Sequence, residues 1–268
     1  MIDAVVLVLR EVMEAMLVCC VLLASSHALG ARHFWLLAVT ACALAGALLY
    51  AVNLAEVTTL FDGRGQELVN VLLLVVSSVS LFYYMSRIPV MLLTTSIAVP
   101  AAVYIAIILA AAGALIRELA EIFVYVFSYG IAAGRTVPVL SGAAIGAGVG
   151  VSTGVFLYYG LLWLGKKRCL QVSVVVMGLI SAGLLSQATR FLVQAGLVPG
   201  EHVVWDSSWL VAESTLIGEL LHALIGYDAT PSMEQMSVYL MSLFFVFILL
   251  RRVISTQSTY NNAFQQKA

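Results

Sequence analysis

The chain has 268 residues, of which 62% are hydrophobic and 10% are charged, and its formal net charge is −1. A soluble domain carries about 25% charged residues, so this composition excludes a water-soluble globule and indicates a protein embedded in a lipid bilayer. The sequence has no basic patch interleaved with aromatic residues, and we therefore expect no nucleic-acid partner.

Long runs without charged residues predict an all-α integral membrane protein, because a helix crosses a bilayer with about 20 mostly apolar residues. We predict a single transmembrane domain, 1–268, with seven membrane-spanning helices. The predicted helices are 3–25, 34–54, 66–86, 102–128, 140–164, 170–196 and 234–251. The apolar stretch 88–101 is compatible with a re-entrant segment, an interfacial segment or a part of the fourth helix. An outer loop with a short helix, 197–233, precedes the seventh span.

Basic residues predict the orientation of the chain, because they accumulate in cytoplasmic segments. With the N-terminus outside and the C-terminus in the cytoplasm, most of the basic residues fall on the cytoplasmic side. These residues are Arg32, Arg87, Lys166, Lys167, Arg168, Arg251, Arg252 and Lys267. The reverse orientation would place the basic cluster at 165–169 outside the cell.

The first and fourth predicted helices carry the same charged pattern, Arg-Glu-x-x-Glu. The first copy contains Arg10, Glu11 and Glu14, and the second copy contains Arg117, Glu118 and Glu121. Three spans separate equivalent positions, so the two copies run in opposite directions through the membrane. This pattern predicts two inverted three-helix repeats, about 1–88 and 100–196, with a site where they meet.

Both motifs are expected at the same depth, about 12–15 Å below the outer surface at 1.5 Å of rise per residue. A charge at the centre of a spanning helix costs about 2.5–3.5 kcal/mol, so these side chains must face each other, water or a ligand. Four carboxylates outnumber two guanidiniums, which indicates a cation as the ligand. Ion pairs that only hold the two helices together are the structural alternative.

Carboxylate oxygens are hard ligands that suit magnesium, calcium, manganese or oxidised iron better than copper(I). The absence of histidine from both motifs weighs against zinc. We therefore predict a metal site with Glu11, Glu14, Glu118 and Glu121 as ligands. Arg10 and Arg117 would balance the charge of the site.

The two motifs resemble those of the high-affinity iron permease family, which includes fungal oxidase-coupled permeases and bacterial EfeU-type proteins. The segments Phe61–Asn70 and Trp205–Gln235 resemble the same family. The resemblance implies a permease of the inner membrane, not an enzyme, with iron as its substrate and no permanently bound cofactor. It further implies ferric iron as the cargo, supplied by a partner oxidase or by periplasmic iron-binding proteins. Val12 and Leu119 stand where the family motif often has glycine, which affects local packing.

The resemblance also points to Glu67, and the acidic outer loop to Asp206 and Glu213, as an outer relay for metal. A cap near Asp206 and a stop at Gly226 predict a short helix, and its length places it at the outer surface. His222 in this helix is expected to be a structural hydrogen-bonding residue. Two other functions stay open, which are transport of another metal such as lead or manganese and a non-transporting membrane anchor or sensor.

Overall fold

The computed structural model describes residues 1–93, 99–200, 202–212 and 215–265. Helices dominate these residues, and the β-structure in them is one isolated bridge between Val203 and Ser232. The α-helices are α1 (Ile2–Ala28), α2 (Trp35–Val52), α3 (Leu54–Gly63), α4 (Gly65–Leu93), α5 (Ala101–Tyr125), α6 (Thr136–Trp163), α7 (Gly165–Gln194), α8 (Leu216–Ile225) and α9 (Met233–Gln265). A π-helical segment, Val126–Ala132, continues α5. The all-α prediction is therefore confirmed.

Six segments of the described chain are long and apolar enough to cross a membrane. They are Trp35–Val52, Gly65–Leu93, Ala101–Ala132, Thr136–Trp163, Gly165–Gln194 and Met233–Gln257. The predicted first span, α1, is not among them, although it has 27 residues and packs inside the bundle. The seventh span, the repeats and the orientation therefore stay predictions.

The third predicted span is longer in the structure than in the sequence-based prediction. Helix α4 runs past residue 86 and through Pro89 to Leu93, because Ile88 and Pro89 are buried against neighbouring helices. The residues 88–93 of the unassigned stretch 88–101 therefore belong to α4. Residues 94–98 lie outside the described residues, and Pro100 is the N-cap of α5.

A short helix, α3, connects α2 to α4 where the sequence indicated a loop. The chain turns sharply near the end of α3, where Phe61 and Asp62 have positive φ angles of 53° and 59°. A Cβ on Gly65 would collide with the carbonyl oxygen of Val57, so this close turn requires glycine. The turn packs the start of α4 against α3.

Helices α1 and α6 pack in parallel along a ladder of glycines in α6. A Cβ on Gly146 would lie 2.5 Å from the carbonyl oxygen of Val5. Further along, a Cβ on Gly154 would lie 2.6 Å from the terminal methyl group of Met16. The glycines of this ladder are spaced four residues apart, as is typical of closely packed membrane helices, and they are Gly142, Gly146, Gly150 and Gly154.

Helices α2 and α5 form a second parallel pair. The rings of Phe34 and Tyr104 are 4.7 Å apart at one end of this pair. Farther along, Gly46 faces Ile116, with 2.7 Å between a Cβ placed on the glycine and Cδ1 of the isoleucine. The first motif helix thus packs on α6 and the second on α2, so that each motif helix packs on a helix from the other predicted repeat.

The short helix α8 differs from the prediction in its start. It begins at Leu216, where the Thr215 hydroxyl accepts a hydrogen bond of 3.1 Å from the Gly218 N–H. It ends at Gly226 as predicted, and Gly226 has a left-handed φ of 68°. The predicted start near Asp206 is wrong, because the Asp206 carboxylate accepts instead from the Ser208 N–H at 2.9 Å in its own turn.

Helix α8 makes a close contact with the bundle. Its end at Gly226 packs on Gly183, and a Cβ on Gly183 would lie 2.8 Å from the Gly226 Cα. Gly183 precedes the end of α7 at Gln194 by eleven residues, or about 16 Å of helix. The end of α8 therefore packs against α7, where two glycines allow this close contact, and the predicted position of α8 at the outer membrane surface stays a prediction.

An apolar core fills the part of the bundle toward the C-terminal end of α1. Fully buried side chains from α1, α4, α5 and α7 meet there, and they include Leu22, Leu81, Ile107 and Leu170. Within this core the hydroxyl groups of Ser25 and Tyr84 are hydrogen-bonded at 3.0 Å. The core separates the charged motifs from that end of the bundle.

Candidate metal-binding site

The two charged motifs face each other where α1 and α5 cross in opposite directions. Arg10 of α1 lies 3.7 Å from Glu121 of α5, measured between Nη2 and Oε2. One helical turn further, Glu14 of α1 lies 3.5 Å from Arg117 of α5, measured between Oε2 and Nη2. The antiparallel crossing therefore places the first motif directly against the second.

Three carboxylates form a cluster at this crossing, which we call the carboxylate triad. Glu11, Glu118 and Glu121 each offer one oxygen, and these oxygens lie within 4.8 Å of one another. Oxygen ligands lie about 2.0–2.6 Å from a hard metal ion, so two ligands of one ion are at most about twice that distance apart. The triad oxygens meet this limit, and the triad can therefore hold a metal ion.

Two oxygens of the triad are buried and lack a hydrogen-bond partner among the described residues. They are Oε2 of Glu11 and Oε2 of Glu118, and these residues are 0% and 4% exposed. A buried polar atom without a partner costs free energy, so such atoms usually indicate a missing ligand or water. Glu121 is the exposed member of the triad, with 43% of its side chain accessible.

The fourth predicted ligand, Glu14, lies apart from the triad. Its carboxylate faces the Arg117 guanidinium, which is 10% exposed and also contacts the triad. The Nε atom of Arg117 lies 3.3 Å from Glu118 Oε1 and 3.6 Å from Glu121 Oε1. Within the first motif, Arg10 contacts the neighbouring Glu11, with 2.9 Å between Nε and Oε1. The structure thus brings all six residues together, and their roles toward a metal stay predictions.

Two cavities meet this cluster from different sides. A vestibule of about 390 Å³ reaches Glu121 and Arg117 from the end of the bundle where α4 begins, and Tyr50, Gln66 and Asn70 contribute to its wall. A second cavity of about 20 Å³ lies behind Arg117. Its wall is formed by Glu14, Glu118, Gln187, His222 and neighbouring apolar side chains.

A hydrogen-bonded chain behind Arg117 was not predicted from the sequence. The Arg117 Nη1 donates to Gln187 Oε1, and the Gln187 Nε2 contacts His222 Nε2. His222 Nδ1 lies 2.7 Å from the Tyr227 carbonyl oxygen, so the structural role expected for His222 fits these contacts. The overlooked signal is Gln187, a polar side chain within a predicted span, where polar groups are costly and commonly functional.

Of the three residues of the predicted outer relay, the structure describes Glu67 and Asp206. Glu67 lies in the first turn of α4, where its Oε2 is buried, and its carboxylate interacts electrostatically with Tyr50 of the vestibule. Asp206 is exposed, and hydrogen bonds from the Ser208 hydroxyl and N–H lower the pKa of its carboxyl group. Glu213 lies outside the described residues. The relay role of all three stays a prediction.

Comparison with known proteins adds the evidence on ancestry. The sequence profile of the Iron permease FTR1 family matches residues 104–259, a region that includes the second motif, Gln187 and α8. The chain belongs to this family. Its membership confirms the resemblance seen in the motifs. It also indicates a transporter, and with the six apolar segments it identifies a multi-pass integral membrane protein, of the inner membrane in a bacterium.

Individual relatives match over a shorter region. The Ferrous iron permease EfeU of Escherichia coli O6:K15:H31 is 28% identical over 121 residues, which is 44% of each chain. The Ferrous iron permease EfeU of Shigella flexneri has the same identity over 44% of this chain and 52% of its own. The matched region spans about half the length of these relatives. No solved structure matches the chain.

Proposed function

We propose that this chain carries iron across the inner membrane and that the carboxylate triad binds the ion on its way. The observation that supports the proposal most directly is the meeting of Glu11, Glu118 and Glu121 at the crossing of two antiparallel motif helices. Two of these glutamates are buried, each with one oxygen that has no hydrogen-bond partner in the described part of the chain, and a cation would satisfy both oxygens. Glu14 would serve as the fourth carboxylate, on the far side of Arg117.

The arginines give the site its balance between binding and release. In the absence of cargo, Arg10 and Arg117 neutralise part of the charge of four glutamates that would otherwise repel one another. An arriving cation replaces the guanidiniums as the partner of the triad. The same guanidiniums compete with the bound ion and thereby weaken its hold, which favours its release.

The access route follows from the vestibule. Its wall presents the amide groups of Gln66 and Asn70 and the phenol of Tyr50, which can hydrogen-bond to the water around an incoming ion. Six waters occupy about 180 Å³ at about 30 Å³ each, so a hydrated ion fits in the vestibule before it reaches Glu121. With the predicted orientation, this vestibule opens to the outer side.

Each motif helix packs on a helix of the other predicted half, and this arrangement supports an inverted repeat. Helix α1 packs on α6 in the same way that α5 packs on α2, and α1 and α5 cross each other. An inverted repeat provides two related conformations, one open to each side of the membrane. Alternating exposure of the triad between these conformations would complete transport.

The valence of the cargo is part of the proposal. An all-carboxylate site favours the harder ferric ion, supplied by a partner oxidase or by periplasmic iron-binding proteins. The relatives are named ferrous iron permeases. Uptake measured with iron held reduced by ascorbate, and separately with ferric citrate, decides between the two ions.

The deciding experiment compares Glu118→Gln with Glu56→Gln in cells that lack other iron importers. Glu118 belongs to the triad, whereas Glu56 is an exposed residue of α3. We expect Glu118→Gln to abolish iron uptake and Glu56→Gln to leave it unchanged. Iron uptake that persists in Glu118→Gln would exclude the triad as the transport site.

The same cells distinguish the alternative functions. Competition by manganese or lead that exceeds competition by unlabelled iron would assign another cargo to the site. Binding of iron to the purified protein without uptake into proteoliposomes would instead identify a membrane anchor or sensor.

A further inference from the structure

Helix α8 is connected to the carboxylate triad through Gln187 and Arg117. Building on the proposed function, we propose that Gln187 and His222 are positioning residues that hold Arg117 between Glu14 and the triad. Their hold on the guanidinium would set how strongly the triad binds a cation. Neither residue belongs to the repeated motifs.

The contacts define one consistent set of donors and acceptors. Arginine can only donate, so Gln187 accepts from Arg117 through Oε1 and its amide nitrogen is left to donate. The amide nitrogen faces His222 Nε2, which must then be the acceptor. The remaining nitrogen, Nδ1, donates to the Tyr227 carbonyl oxygen at 2.7 Å. This assignment of roles requires the His222 proton in these contacts to lie on Nδ1.

Gln187 is the neutral partner of a guanidinium that otherwise faces only carboxylates in the described part of the chain. Arg117 Nη1 donates a hydrogen bond to Gln187, whereas the contacts between the guanidinium and the carboxylates lie between 3.3 and 3.6 Å. The hydrogen bond thus draws the guanidinium away from close pairing with the triad. Without it, Arg117 would move onto the glutamates and compete more strongly with the cation.

The end of the hydrogen-bonded chain that lies farthest from Arg117, at Tyr227, is held in place by other helices. Tyr227 follows Gly226, which packs on Gly183 of α7, and the hydroxyl of Tyr239 in α9 donates to the Ile225 carbonyl at 2.6 Å. Helices α7 and α9 therefore both hold the turn that ends α8. A movement of this turn would be passed to Arg117 through two side chains.

Gln187 and His222 do not line the vestibule. They line the cavity of about 20 Å³ behind Arg117, whereas the vestibule of about 390 Å³ reaches Arg117 and Glu121 from the opposite side. A cavity of this size holds about one water, which is too little for a hydrated ion. Gln187 contacts Arg117 directly and His222 contacts Gln187, so both residues can act on the triad through Arg117.

The test measures the KM and the maximal rate of iron uptake for Gln187→Met and for Gln171→Met. Gln171 is the matched control, because it lies in the same helix and donates to the Gln257 side chain at 2.8 Å, far from the motifs. We expect Gln187→Met to raise KM about tenfold, equivalent to about 1.4 kcal/mol, with a maximal rate within about twofold of the parent. Gln171→Met should leave KM unchanged.

Substitutions of His222 test whether the two residues act in series. His222→Leu removes the acceptor and should raise KM. His222→Gln keeps an acceptor at the position of Nε2 and should have the KM of the parent protein. In a serial chain, the double variant Gln187→Met with His222→Leu raises KM no further than Gln187→Met alone. Size-exclusion chromatography of each variant confirms that its protein is folded.

Two results would overturn the positioning role while leaving the transport proposal intact. One is a transporting Gln187→Met protein with the KM of Gln171→Met, and the other is a multiplicative increase of KM in the double variant. A parent protein that carries no iron would instead refute the proposed function itself. The two failures are therefore distinguishable in one set of measurements.

Discussion

The contact between α1 and α6 provides a stability test with an internal control. Gly146 and Gly148 lie in the same helix, but only Gly146 faces α1. A Cβ on Gly146 would lie 2.5 Å from the Val5 carbonyl oxygen and 2.9 Å from the Leu9 nitrogen, whereas a Cβ on Gly148 would have no neighbour within 4 Å. Both neighbours of Gly146 are backbone atoms, so Gly146→Ala must push the two helices apart.

The expected effect can be estimated from these distances. Overpacking costs about 1–3 kcal/mol, and each kcal/mol lowers Tm by about 2–4 °C in a chain of about this size, so Gly146→Ala should melt about 2–12 °C lower. Gly148→Ala should be neutral or stabilising, since alanine is favoured over glycine in a helix by about 0.5–1 kcal/mol. Because Glu11 lies on the displaced helix, Gly146→Ala should also reduce iron uptake.

The assay is thermal unfolding of the two purified variants in the same detergent, followed by iron uptake in proteoliposomes. Equal melting temperatures for Gly146→Ala and Gly148→Ala would refute the close parallel packing of α1 on α6. A lowered melting temperature without any loss of uptake would refute the dependence of the triad on this contact.

Two further predictions concern α8 and the apolar core. Gly226→Ala should lower the free energy of unfolding by about 1–3 kcal/mol or more, because φ is left-handed and Gly183 blocks the added methyl group. Gly30→Ala, with φ of 78° and open space around it, should cost less in the same thermal melt. Ser25→Ala should cost about 1–3 kcal/mol because it leaves the buried Tyr84 hydroxyl without this partner, and a Tm equal to that of the parent would contradict it.

The charged motifs could be predicted because lipid imposes a strong constraint. Charges within a span must be satisfied inside the protein, so the side chains of two Arg-Glu-x-x-Glu patterns on antiparallel helices were expected to face each other, water or a ligand. The sequence could not show which glutamates would share one ion. Helical spacing places Glu11 and Glu14 on similar faces, but the crossing with α5 brings Glu11 to the triad and leaves Glu14 with Arg117.

The contact of α8 with α7 could not be read from the sequence for a different reason. A short amphipathic helix has the same pattern whether it lies on a membrane surface or enters a protein crevice. The contact joins Gly183 and Gly226, two residues far apart in the chain whose meeting depends on the whole bundle. Gln187 was missed for the same reason, because its partners come from α5 and α8.

The apolar core around Leu22, Leu81, Ile107 and Leu170 has a consequence for leakage. The vestibule admits water to the triad from one end of the bundle, and this core blocks the other end with side chains that offer water almost no hydrogen bonds. Protons and small ions that reach the glutamates would therefore meet an apolar barrier beyond them. If transport follows the proposed route, such a barrier would let the cell keep its membrane potential across the protein.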